Sequence, residues 1–129
     1  MYDIVFNAHS GLRYLILLVA VIITVYALIG LPRKQTVDKT GLTLLRVFII
    51  LLDIQLLLGI ATLLTGEFRG QQIGHLVVMI GAIAVAHLGL ARLKKADPER
   101  RGYGVLLASA LIPLALFVAG IMAIQRPII

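Results

Sequence analysis

Residues 46–65 read RVFIILLDIQLLLGIATLLT, and this stretch decides the fold. A helix of that length is about 30 Å long, the hydrocarbon thickness of a bilayer. Between Arg46 and Thr65 its one charged residue is Asp53, close to the middle. By insertion scales an aspartate at the bilayer centre costs about 2.5–3.5 kcal/mol, and such residues ordinarily face a bundle interior and pair there. The helix is therefore expected to be central to a bundle, with whatever Asp53 touches a candidate site.

The rest of the composition agrees. The 129 residues leave room for one domain. Hydrophobic residues make up 60% and charged residues 14%, against about a quarter charged in ordinary soluble domains. The long uncharged runs call for lipid, not a water-soluble core. The 12 basic residues, with a net charge of +6, lie mostly in two short loops. That distribution speaks for orientation in a membrane and against a nucleic-acid partner. The absence of cysteine excludes disulfides, thiolate metal ligands, iron–sulfur clusters and covalent c-type haem attachment.

Outward from residues 46–65, the pattern predicts four spans, at about 5–31, 42–65, 71–93 and 103–124, in a single membrane domain over 1–129. The N-terminal run has no basic n-region before it and no small-residue cleavage pattern after it, so it is expected to be a retained transmembrane helix. Asp3 or Asn7 is expected to cap it and Pro32 to end it. The polar stretch RKQTVDKT (33–40), the glycine-flanked turn 66–70 and the charged stretch KKADPERRG (94–102) connect the spans. Pro113 is an expected kink. Short connections predict an all-α, up-down-up-down four-helix bundle.

Arg33, Lys34, Lys39, Lys94, Lys95, Arg100 and Arg101 crowd the first and third loops, with Arg46 and Arg92 nearby. Only Arg13, Arg69 and Arg126 lie on the other side. The positive-inside rule then places both loops in the cytoplasm and both termini outside. Tyr2, Tyr14, Tyr26 and Tyr103 fall near span ends, where interfacial aromatics belong. Ala115, Ala119 and Ala123, and likewise Ala82 and Ala86, recur every four residues and are expected to pack helices closely. Gln55, Gly59, Thr62 and Gly66 form one stripe of helix two, where the glycines would admit a neighbouring helix.

Depth along the helices groups the polar residues. His9 lies about 9 Å inside the outer end of helix one, and His75 lies at a similar depth on helix three. Two histidines at matched depth in a four-helix bundle are what axial ligation of haem b requires. Gly59 would leave space for a flat ring, and Arg13 or Arg69 would pair with propionates. Hydrogen bonding to a neighbouring helix accounts for the same histidines without a cofactor, and a quinone head group would use the same His and Gln donors. Deeper in the bundle, Asp53 and His87 are within reach of each other if helices two and three are neighbours. With Arg46, seven residues before Asp53, they would form a polar track: a proton path or mutual satisfaction inside the bundle. No catalytic residue is assigned, because neither an activated nucleophile nor a metal-ligand spacing such as HExxH is present.

Three segments taken together, His9-Ser10-Gly11-Leu12-Arg13-Tyr14-Leu15, Asp53-Ile54-Gln55-Leu56-Leu57-Leu58-Gly59 and Gly74-His75-Leu76-Val77-Val78-Met79, resemble a family of small bacterial four-helix membrane proteins described as cytochrome b-like. The resemblance covers nearly the whole chain, including the basic loops and Ile112-Pro113. It implies a haem b and highlights His9, Arg13, Gln55, Gly59 and His75. It departs at Asp53, where relatives tend to carry histidine. The resulting expectation is a non-enzymatic membrane subunit of a respiratory or photosynthetic, quinol-linked electron-transfer complex, with one haem b between His9 and His75. The alternative is a cofactor-free accessory subunit packed on a larger energy-transducing complex.

Overall fold

The computed structural model describes residues 2–33, 36–66, 70–95 and 102–123, with side chains over 3–32, 36–66, 73–95 and 102–119. They form four helices: α1 (Tyr2–Gly30), α2 (Lys39–Thr65), α3 (Gly70–Lys95) and α4 (Tyr103–Ala123). Glu67, Phe68 and Arg69 of the expected turn, Lys34 and Gln35, residues 96–101, residues 124–129 and the side chains of Tyr2, Arg33 and Ala123 lie outside the described set.

Successive helices pack side by side, and α4 closes back on α1, so α1 and α3 stand diagonally across the bundle. The α3–α4 side is the most extensive and the α2–α3 side the least. The buried stripes follow helical spacing: Ile16, Ile23 and Ala27 on α1, Leu45, Phe48 and Leu52 on α2, Ala82, Ala86 and Leu93 on α3, and Leu106, Ala110, Pro113 and Phe117 on α4. The outside is equally apolar. Leu64 is 81% exposed, Leu57 67% and Val77 63%, and a water-soluble monomer does not display so much contiguous hydrocarbon. Three helices, Asp3–Gly30, Lys39–Thr65 and Ile73–Lys95, are long and apolar enough to cross a membrane, and Tyr103–Ala119 is a shorter apolar helix.

Helix ends carry some of the expected signals and correct others. Gly30 ends α1, and Leu31–Arg33 with Pro32 at its centre makes one 3-10 turn, since proline has no N–H to continue the ladder. Neither Asp3 nor Asn7 stands ahead of α1 as a cap: the helix already begins at Tyr2, leaving Asp3 in its first turn, where a carboxylate complements the helix dipole. Asp38 caps α2, accepting a hydrogen bond from the Gly41 N–H at 2.9 Å.

Two packing expectations also change. Ala82 and Ala86 are fully buried as predicted, but Ala115 and Ala119 are exposed. The close contact to α4 runs instead through Gly89, where a Cβ would collide with the Oγ of Ser109 and lie 2.7 Å from its Cβ. Ser109 tucks its hydroxyl back onto the Val105 carbonyl at 2.6 Å, so a buried polar group is satisfied within its own helix. Tyr103, at the start of α4, turns into the bundle. It is 5% exposed, its ring fills the notch at Gly30, where a Cβ would lie 2.7 Å from the ring, and it stands 6.0 Å from the Tyr26 ring.

Candidate functional site

The expected polar residues of helices one to three do converge at one end of the bundle. Gln55 is 4% exposed, and its Nε2 donates to the backbone carbonyl of His9 at 2.8 Å. One side-chain amide thus ties α2 to α1 at the level of the histidine. Four residues further along the same face, Gly59 supports the imidazole: a Cβ there would lie 3.2 Å from His9 Cε1 and 3.7 Å from Nδ1. The flat ring seated over Gly59 in this structure is the His9 imidazole. Thr62, also buried, returns its hydroxyl to the Leu58 carbonyl at 2.8 Å.

Across the diagonal from α1, α3 brings His75 to the same level. The His9 and His75 rings have centroids 6.3 Å apart and planes at 87°. Two imidazoles sharing one metal ion, each nitrogen about 2.0–2.1 Å from it, would have centroids roughly 6 Å apart. The Oε1 of Gln55 is buried and accepts no hydrogen bond among the described residues, leaving one acceptor turned into this end of the bundle. No group of three or more His, Cys, Asp or Glu able to hold a metal occurs among the described residues.

Arg13 is engaged by its neighbour on α1. It lies one helical turn deeper than His9, its Nη2 donating to the Tyr14 hydroxyl at 2.9 Å and its guanidinium 4.8 Å from the Tyr14 ring centroid. Arg69, the other residue expected beside propionates, lies outside the described residues.

The deeper pair forms as the depth count predicts, but on the wrong side of the helices. His87 Nε2 is 3.1 Å from Asp53 Oδ1, and the two side chains are 50% and 47% exposed. Asp53 is thus at the α2–α3 flank of the bundle, not at its centre. Arg46 is exposed, and neither Asp53 nor His87 is among its partners in the described structure. The expected three-residue track is a two-residue pair.

Sequence reading missed the opposite end altogether. The Tyr26 hydroxyl donates to both carboxylate oxygens of Asp38 at 2.6 and 2.7 Å. This bond, and then the Gly41 N–H, holds the Asp38 carboxyl below the usual carboxylate range. The Asp38-x-x-Gly41 spacing signals the cap, but nothing local signals a tyrosine twelve residues earlier.

Fold and site together define an all-helical bundle of membrane type, with a histidine pair at one end and a carboxylate–imidazole pair on its flank. No known family, curated protein or solved structure matches the chain.

Proposed function

We propose that the chain is a small integral-membrane subunit of a quinol-linked electron-transfer complex, with His9 and His75 holding one haem b. The observation that supports this reading is the histidine pair. Its residues come from diagonal helices, meet at one level, and have the ring separation and perpendicular planes that two axial imidazoles can adopt. Haem, when bound there, supplies one-electron transfer. The chain's own residues do the positioning: Gln55 anchors the helix at His9, and Gly59 lets the imidazole lie close against α2. The partners are the lipid bilayer, other membrane subunits of the complex and a quinone. The proposed location is a bacterial cytoplasmic membrane, and the basic loops support both termini on its periplasmic face.

The test is the spectrum of the purified, dithionite-reduced protein. An α-band of haem b is expected. His75→Ala abolishes it, while His87→Ala, on the flank, leaves it intact. A spectrum without that band overturns the haem, and a retained band in the His75 variant overturns the ligand assignment.

One observation favours a second reading, a cofactor-free accessory subunit on a larger energy-transducing complex. The space over Gly59 is already filled by His9, and the Gln55–His9 bond closes that part of the bundle from within. This reading loses if the chain purifies alone as a stable monomer with haem bound.

A further inference from the structure

Asp53 and His87 hydrogen-bond to each other at 3.1 Å, yet half of each side chain looks outward. Their surroundings are hydrocarbon: Ile50 is 57% exposed, Leu57 67%, Ile80 50% and Leu88 66%. The pair lies about 12 Å inside the basic end of α3, well within the span. A carboxylate has about four acceptor sites and an imidazole has a second nitrogen. The described structure gives the pair only the one mutual bond. Lipid supplies nothing for the remaining groups, and polar groups left unpaired in hydrocarbon are costly.

We propose that a second copy of this chain covers this flank, closing the two Asp53–His87 pairs into a ring of alternating carboxylates and imidazoles. The symmetry follows from the membrane. All copies insert in one direction, so two of them are related by a two-fold axis along the membrane normal. Such an axis preserves depth and exchanges left for right. Asp53 then faces the partner's His87, and His87 faces the partner's Asp53. The pair is its own complement.

The apolar residues match in the same arrangement. The axis sets α2 of one copy against α3 of the other. Leu57 lies about 6 Å outward of Asp53, and Ala84 about 4.5 Å outward of His87; Ile50 lies about 4.5 Å inward, and Ala91 about 6 Å inward. Exposed large residues of α2 thus meet exposed alanines of α3 at corresponding depths, and small residues are what let membrane helices approach. The inference rests on the reading of the bundle as membrane-spanning, with no dependence on haem.

The chain lacks cysteine, so single cysteines report proximity cleanly. Ile80→Cys lies on the same exposed stripe of α3 as His87, about 10.5 Å outward of it. In native membranes a short bismaleimide is expected to link this variant to itself, and to link Ala115→Cys on α4 about tenfold less. In the Ile80→Cys background, Asp53→His or His87→Asp alone should lower the yield about tenfold, because each makes a ring of like groups. Co-expression of these two variants under different tags should restore crosslinking between them, since two imidazoles then face two carboxylates. Contacts within one copy predict no such rescue.

Absence of a dimer while the chain is in the membrane fraction overturns the proposal. So do equal crosslinking at Ala115→Cys, crosslinking to a different protein, and failure of the mixed variants to rescue. A chain missing from the membrane fraction overturns the membrane reading instead. If either charge variant fails to insert, Ala84→Leu decides: added bulk on this exposed face must lower crosslinking about tenfold, and an unchanged yield overturns the packing.

Discussion

Gln55 shows what one side chain contributes in this bundle. It is buried, spans two helices and donates to a carbonyl that already belongs to the α1 ladder. Interhelical hydrogen bonds in membrane proteins contribute about 0.6 kcal/mol on average and at most about 1.7. Gln55→Leu should therefore lower the thermal stability of the solubilised protein by an amount in that range, read as loss of helical circular dichroism on heating. If haem is present, its band should shift or weaken, because α1 at His9 loses its anchor. Asp53 teaches the complementary lesson. Its partner was legible, since counting rise along two antiparallel helices brings His87 within about 6 Å of its depth, in reach if the two helices are neighbours. Its orientation was not. Periodicity gives a residue's angle on its own helix, whereas facing inward or outward depends on where the neighbouring helices stand.

At the scale of the element, capping and close approach decide stability. Asp38→Ala removes both the cap on Gly41 and the anchor for the Tyr26 hydroxyl, and cap loss costs about 0.5–2 kcal/mol. The same contact has a pH dependence of known sign. The folded carboxyl is held below its unfolded value, which is about 3.9. Its contribution is thus complete above that value and lost as pH falls through the lowered folded one. Melting temperature against pH should drop more steeply below about pH 4 in the parent than in Tyr26→Phe. Between α3 and α4, Gly89→Ala forces Ser109 away from the helix it touches, an overpacking worth about 1–3 kcal/mol. Gly11→Ala, with nothing within 4 Å of the new methyl group, should instead stabilise by about 0.5–1 kcal/mol, the helix penalty of glycine. Chemical unfolding of the two variants in one detergent compares them directly. The Asp38 cap came only with the structure, whereas helix count and approximate limits were legible from apolar runs and Pro32. The tight α3–α4 seam was not: Gly89 and Ser109 are unremarkable apart, and the alanine stripe on α4 gave the wrong face.

For the whole molecule, the distribution of charge carries the proposed arrangement in the membrane. The proposed orientation predicts that Thr36→Cys, beside the basic loops, resists a membrane-impermeant thiol reagent in intact cells. Asp3→Cys should react. The reverse labelling pattern inverts the topology. Thr36 also bridges to Gly102, so the two connections on that side are joined to each other. Together with Tyr103 seated against Gly30, this ties α4 back to α1 and completes the ring of helices.

Sequence alone determined the class of the molecule: four apolar helices, their approximate limits, the uneven distribution of basic residues, and the depth of each polar group. These follow from chain-local physics, since lipid demands long helices with satisfied backbones and the rise per residue is constant. Tertiary structure decided which faces meet. It put His9 over Gly59 and near His75, and sent Arg13 to Tyr14. It moved the Asp53–His87 pair from the expected interior to the flank. A helix in this chain is apolar nearly all round, so hydrophobicity cannot tell its core face from its lipid face. That choice falls to small residues and a few polar contacts, and these acquire meaning only once the neighbouring helix is in place.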